Sequence, residues 1–465
     1  MSRSLFGTIA LAVGFLSAPT LAAEGPLRVG AAKVDITTLP PAAPATGKYD
    51  HERLYIRAIV LDNGVTRAAL ISEDTGRLSE AGLKLVTAEL NAPAENIVSS
   101  SIHTHSASLA GVGPAAAGAA PADPNAPTPT DLNILKAVRE AKSKLQPALV
   151  GFDTGMSYLN VNRDGIDPDT KKWYQGPNLN ASSDKTVAVL MFKKPTGEPI
   201  AAYVTYAMHP VSGYVSGIVS ADFPGAMTRY VEKAFDDQMI VAFAQNASGD
   251  QNPLHLRPST NVMASRNGTK VTGYVMNREA SESLLRMNPR SGKPADPKMM
   301  DTLLRFIESQ GQMLGEEVIR IMSFADDMAG DVAIVGAAKN MTCPGRKRLT
   351  GDAWDNATRE GVEARYEDAE PVPIHVGALR IGNIAVASST GELYTLIGQR
   401  VKQESPLKNT MLVTLINPYS GNGYTPDDAS YGHQTFQALG TRLKQGCAET
   451  SIAGGLRELV QKTLK

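Results

Sequence analysis

Imidazole is scarce in this chain, with seven histidines among 465 residues, and two of the seven stand two apart in Ser101-Ile102-His103-Thr104-His105-Ser106. The preceding run, Asn96 to Ile102, is rich in β-branched and small residues. It reads as a strand, and a strand's period of two sends both rings off the same face. Two nitrogen donors on one face suit a divalent cation, and a neutral imidazole near pH 7 also serves as a base. A bare His-x-His is more often a pair of hydrogen-bonded surface histidines, so the other residues placed like it carry the weight.

Those residues end other β-prone runs. His209-Pro210 follows Tyr206-Ala207-Met208, and Asp250, in Ser248-Gly249-Asp250-Gln251-Asn252-Pro253, follows Val241 to Ala244. Glu392, in Ser388-Ser389-Thr390-Gly391-Glu392, follows Ile384 to Ala387 and is expected to open a helix; Tyr419 and Tyr424 follow Leu412 to Ile416. Ligands of α/β proteins gather outside the carboxyl ends of strands, so these positions can converge. Singly, each has a plainer reading. His209 can be a hydrogen-bonded strand end, Glu392 an acid favoured by a helix dipole, Asp250 a turn residue, Asp222 a helix cap and Tyr424 a loop aromatic. Jointly, five such coincidences favour a site. Two imidazoles and a carboxylate, with a fourth position left for water, match a catalytic zinc centre, and the mixed nitrogen and oxygen set disfavours calcium and magnesium. Zinc lowers the pKa of a bound water from ~15.7 to about 7, and the chemistry this implies is hydrolysis.

The elements that must position these groups follow from periodicity. Leu54 to Leu61 and Val65 to Ile71 form an antiparallel pair across Asn63-Gly64, the strongest short hairpin signal. Further strands are expected at Thr186 to Phe192, Ile200 to Met208, Met239 to Ala244, Ala378 to Ser388 around Gly382-Asn383, and Met411 to Ile416. Helical patterns cover Leu78 to Leu90, a segment capped by Asp131 and running to Leu145, Pro224 to Phe235, Met299 to Met322, and Glu392 to Gln403. The fold class is therefore α/β, with mixed β-sheets flanked by helices. Gly111 to Pro129 and His255 to Pro297 are Pro/Gly-punctuated and read as irregular segments able to overhang a site.

Composition narrows the function. With 46 basic against 47 acidic side chains and no basic stripe interleaved with aromatics, nucleic acid is an unsuitable partner. Arg3, the apolar run Leu5 to Leu16 and the small residues through Ala22-Ala23 read as an export signal over residues 1–23, so the mature chain is expected to begin near Glu24 in the periplasm or outside the cell. No later stretch approaches the roughly 20 apolar residues of a membrane span. The two cysteines, Cys343 and Cys447, could close a disulfide in an oxidising compartment; their spacing leaves this open, as the sequence leaves open the oligomeric state.

Taken together, the motifs resemble the neutral/alkaline ceramidase family, zinc amidases that cleave the N-acyl bond of sphingolipids. Val29 to Thr37 looks like the family's opening strand, Ile102-His103-Thr104-His105-Ser106 like its His-Thr-His-Ser segment, and Asn160-Val161-Asn162-Arg163 like its Asn-x-Asn-Arg stretch. Met208-His209-Pro210 resembles the second histidine motif and Gly391-Glu392-Leu393 the Gly-Glu-Leu/Phe motif. The resemblance implies a single catalytic domain over residues 24–465, without the immunoglobulin-like C-terminal domain of full-length ceramidases. It implies zinc held by His103, His209 and Glu392, with Tyr424 rather than Tyr419 at the metal, His105 as proton shuttle and Arg163 facing the oxyanion. Asp250 and Asn252 are counted with them as catalytic residues, Asn252 near the substrate. Two positions depart from the family: Asn252 stands where a serine falls in its Gly-Asp/Asn-x-Ser-Pro segment, and Phe436 where it has a second active-site tyrosine. The expected activity is hydrolysis of an N-acyl lipid or related amide; the alternatives are a zinc esterase or other hydrolase, or a periplasmic lipid- or glycan-binding protein with a degenerate site.

Overall fold

Tyr55–Asp62 pairs antiparallel with Arg67–Glu73, and the turn between them is built as the Asn-Gly signal predicts. Gly64 takes a φ of +78°, and the Asn63 side chain accepts from the amides of Val65 and Thr66. The computed structural model describes residues 23–37, 53–107, 123, 126–214, 219–266, 296–349, 364–418 and 421–465. Residues 1–22 of the stretch read as an export signal, Tyr419, most of Gly111 to Pro129 and residues 267–295 lie outside these.

The hairpin belongs to a six-stranded sheet in the order Ile416–Asn417, Ile97–Ser101, Arg67–Glu73, Tyr55–Asp62, Arg28–Asp35, Gln146–Pro147. A five-stranded sheet runs Ile240–Gln245, Pro199–Tyr206, Thr186–Lys193, Leu149–Met156, Met328–Ala329, and a four-stranded one Ile334–Arg348, Tyr366–Ile381, Ile384–Ser389, Asn409–Val413. Each of these three sheets is antiparallel except for one parallel pair: Arg67–Glu73 with Ile97–Ser101, Pro199–Tyr206 with Ile240–Gln245, and Ile384–Ser389 with Asn409–Val413. A smaller sheet of Gln251–Pro253, Asn160–Ile166 and Trp173–Asn178 stands beside them.

One core unites the inner faces of all three sheets. Leu61 and Leu70 of the six-stranded sheet, Leu190 and Tyr203 of the five-stranded one, and Val386 and Met411 of the four-stranded one are fully buried in a single cluster. The outer faces are covered by helices. Glu80–Leu90 and Pro129–Ser143 pack Val86, Leu90, Ile134 and Val138 on the first sheet; Asp222–Ala234 and Pro297–Phe324 pack Met227, Val231, Leu314 and Val318 on the second; Thr395–Glu404 and Ala448–Thr463 pack Ile397, Val401, Ile452 and Leu456 on the third. Each buried side chain of this size contributes roughly 1.5–3 kcal/mol relative to exposure. The α/β class with mixed sheets is thus the observed one, and among the described residues no helix is long and apolar enough to cross a membrane.

Several local expectations are corrected. Asp131 is not the cap of its helix; Thr128 is, and Asp131 sits at the third helical position of a capping box, its carboxylate also accepting from Ser79. Asp222 is likewise inside its helix, at a φ of +56°, because its carboxylate reaches across to the Gly213 amide at 2.6 Å. Arg257–Arg266 is helical within the stretch read as irregular. Strands Leu149–Met156 and Trp173–Asn178 are unforeseen from periodicity, as are two elements later in the chain, the long strand Ile334–Arg348 and the helix Ala448–Thr463. A disulfide joins these last two, Cys343 to Cys447, across 104 residues of chain.

Candidate metal-dependent active site

The carboxyl ends of the three parallel pairs meet. His103 follows Ile97–Ser101, His209 follows Pro199–Tyr206, and Glu392 follows Ile384–Ser389, and the structure brings their functional atoms together. Glu392 Oε2 lies 3.1 Å from His103 Nε2 and 3.0 Å from His209 Nε2, while His105 Nε2 is 3.4 Å from His103 Nε2. One ring nitrogen each from His103, His105 and His209 lie within 4.8 Å of one another.

One buried residue, through its side chain and its backbone, ties the three sheet ends together. The amide nitrogen of Gln245 donates to Ile102 O at 2.9 Å and to Met208 O at 3.0 Å, the carbonyls immediately before His103 and His209. The Gln245 backbone carbonyl accepts from Thr414 N, at the end of Asn409–Val413. Sequence reading had no signal for this residue, because a glutamine closing a strand looks like any other until its partners are known.

Backbone geometry at the ligands differs from what the sequence predicts. The strand stops at Ser101, and His103 takes a left-handed φ of 70°, so the two imidazoles converge through a turn and not through strand alternation. A side chain held in that region costs of order 1–3 kcal/mol and persists where surrounding contacts over-determine it. Thr104 Oγ1 donates to Ser220 O and the His105 amide to Pro210 O, which straps the turn to the segment behind His209. Glu392 does not open a helix. It lies in a two-residue strand, Glu392–Leu393, paired in parallel with Tyr424–Thr425, and the helix begins at Thr395. The pairing sets Glu392 beside Tyr424. Gly391 precedes it at a φ of +84°, where a Cβ would stand 2.4 Å from the Asn422 amide; at Gly249 a Cβ would stand 2.5 Å from Glu392 O.

Electrostatics and tautomers point to a cation. His209 is completely buried, and its Nδ1 lies 2.7 Å from Ser248 O, so that nitrogen carries the proton and Nε2 presents a lone pair to Glu392. Burial, and then the Arg163 charge, pull the His209 pKa down to about 4. Burial would raise Glu392, but the facing His103 and His209 imidazoles outweigh it and hold the carboxyl well below its ordinary value. A lone pair aimed at a carboxylate oxygen 3.0 Å away is repulsive unless positive charge lies between them. Two imidazoles and one carboxylate fit a divalent transition-metal ion, which these donors would hold. Loss of water, followed by the neighbouring His103 and His209 rings, lowers the His105 pKa well below the usual imidazole value.

Beside this cluster lies a second group. Arg163, on Asn160–Ile166, is buried; Nη2 donates to Gly249 O at 2.6 Å and Nη1 to Asn252 Oδ1 at 3.3 Å. Its guanidinium lies 5.4 Å from the Tyr424 ring centre and 5.3 Å from that of Phe436. Burial disfavours the Arg163 charge, yet Tyr424 and Glu392 more than restore it. Tyr424 thus stands between Arg163 and its strand partner Glu392, and burial raises its pKa. Asp250 stands further back. Its carboxylate accepts from the Thr395 amide and from Asn162, both at 2.9 Å, which fixes the helix start after Glu392; burial, then the Asp164 charge, raises its pKa to about 7. The structure therefore brings together His103, His105, His209, Glu392, Tyr424 and Arg163. Asn252 and Asp250 support the Arg163 side.

The arrangement is that of an α/β protein of three mixed sheets, with a histidine–carboxylate cluster where the sheet ends converge. The same architecture occurs in a ceramidase complexed with C2, with a TM-score of 0.60, 15% identity and coverage of 94% of this chain and 75% of that one. It occurs also in the neutral ceramidase from Pseudomonas aeruginosa, with a TM-score of 0.58, 16% identity and coverage of 95% and 74%. The family model for the neutral/alkaline non-lysosomal ceramidase N-terminal domain matches residues 43–365, and the chain belongs to that family.

Proposed function

We propose that this protein is an exported, zinc-dependent amidohydrolase that cleaves the N-acyl bond of a ceramide-like lipid or related amide. The observation that carries the reading is the meeting of His103 Nε2 and His209 Nε2 on one oxygen of Glu392, at 3.1 and 3.0 Å. His103, His209 and Glu392 would hold the ion, with Tyr424 beside it. Bound zinc would supply Lewis acidity, acidifying a water and polarising the scissile carbonyl.

The chain's own groups account for the remaining steps. His105, neutral at pH 7, takes a proton from the attacking water as the water oxygen bonds to the carbonyl carbon. The negative charge that develops on the carbonyl oxygen is met by the buried Arg163 guanidinium and the Tyr424 hydroxyl, donors fixed before the reaction begins. As the C–N bond breaks, His105 returns its proton to the departing nitrogen, giving a carboxylic acid and an amine, and the acid then passes its remaining proton to the amine or to solvent. Asn252 holds Arg163, and Asp250 holds the start of the helix after Glu392. The basic and apolar composition of residues 1–23 is what supports the reading of export.

Purified protein should carry about one zinc per chain and hydrolyse N-acyl amides in a chelator-sensitive way. Metal-free folded protein, or turnover indifferent to chelator, defeats the proposal. A binding protein with a degenerate centre is the second reading, favoured by Asn252 and Phe436 at substrate-side positions; it requires lipid binding with no turnover when zinc is supplied.

A further inference from the structure

Next to Arg163, Asp164 is buried at 1% exposure, and the hydrolysis described above makes no use of it. Its Oδ2 lies 2.7 Å from His433 Nδ1, and its Oδ1 accepts from the Gln437 side-chain amide. Among the described residues, His433 is the one basic side chain within ion-pair distance of Asp164. The other face of this contact is closed by Trp173, whose ring stacks on His433 with centroids 4.0 Å apart and planes 23° from parallel. Asp164 and Trp173 belong to paired strands, Asn160–Ile166 and Trp173–Asn178, so one rigid hairpin grips the segment 433–437 at three points. The Asp164 backbone is itself fixed, its amide donating to Asn162 Oδ1 and its carbonyl accepting from Asn178.

The grip bears on the reacting groups because of what flanks it. Arg163 immediately precedes Asp164, and Phe436 lies within 433–437. Phe436 meets Tyr424 edge-on, at 5.5 Å and 89°, and both rings cover the Arg163 guanidinium. At the far end of the segment, Thr441 Oγ1 donates to Tyr424 O at 2.7 Å. No hydrogen bond of this clasp involves His103, His209 or Glu392.

We propose that Asp164 and His433, braced by Gln437 and Trp173, form a positioning clasp that seats Tyr424 and Phe436 against Arg163. The clasp sets the turnover rate without contributing to metal binding. This inference rests on the proposed role of Arg163 and Tyr424 toward the substrate. Misplacing a reacting group by 1 Å costs up to roughly 100-fold in rate.

The test compares His433→Ala with His433→Asn in the zinc-loaded full chain, since an asparagine Nδ2 can stand where the ring Nδ1 does. For His433→Ala the expected results are faster amide hydrogen exchange confined to 424–441 and kcat on a short-chain N-acyl amide lower by roughly 10- to 100-fold. KM and zinc content should change little, and His433→Asn should recover most of both losses. Unchanged exchange, unchanged kcat, or exchange that rises together with zinc loss or global unfolding overturns the clasp. If the wild type has no amidase activity, the proposed function fails while hydrogen exchange still decides whether the clasp orders 424–441.

Discussion

Single side chains at this centre divide into those that hold the ion and those that meet the substrate, and substitution separates the two. His103→Ala and Glu392→Ala should abolish zinc binding, measured by metal analysis after dialysis. Arg163→Ala should retain zinc and lose about 100- to 1,000-fold in kcat, the usual worth of one oxyanion donor. Equal metal loss in all three contradicts the assignment. A residue behind the centre gives a pH test. Glu73 is completely buried, accepts from Ser99 and Asn417, and has a pKa raised by burial from 4.5 to about 7. Between those values the folded state binds more protons than the unfolded one, so Glu73 lowers stability as pH rises through that window and adds no further change above it. Melting curves should therefore show Glu73→Gln gaining on wild type from pH 5 to pH 8; a constant difference argues against a protonated Glu73.

At the scale of elements, the site depends on three sheet ends held in register. Gln245 provides the cross-link, binding the carbonyls that precede His103 and His209. Gln245→Met keeps the volume and removes both donors. It should weaken zinc affinity by roughly 10- to 100-fold, as loss of groups supporting metal ligands commonly does. Competition with a chromophoric chelator measures this, and unaltered affinity would show that sheet packing alone aligns the ligands. The disulfide acts elsewhere, between the Ile334–Arg348 strand and the helix Ala448–Thr463. Cys447→Ser should cost roughly 2–5 kcal/mol in denaturant unfolding, given the long loop it closes.

For the molecule as a whole, the ion would join segments far apart in the chain, His103 and Glu392 being separated by 289 residues and His209 and Glu392 by 183. Such an ion binds the folded state and not the unfolded one, so it stabilises by mass action, about 2.7 kcal/mol at a free concentration 100 times Kd. Chelation should lower the melting temperature, and zinc should restore it. His103→Ala should melt near the chelated wild type and be insensitive to chelator.

Legible in the chain before folding are the strands and helices whose apolar residues repeat at period two or 3.6, the Asn63-Gly64 hairpin, and the positions of His103, His209 and Glu392 just beyond β-runs. These are local properties, written in neighbouring residues. Folding in three dimensions is what turns His103 through a left-handed φ, lays Glu392 in a short strand beside Tyr424 with no helix opened, and brings Cys343 to Cys447. It alone brought Gln245 to the backbone before two histidines and His433 to Asp164, 269 residues apart. The physical reason is that these contacts follow from how three sheets close on a shared core. Packing at that distance leaves no periodic trace in the chain.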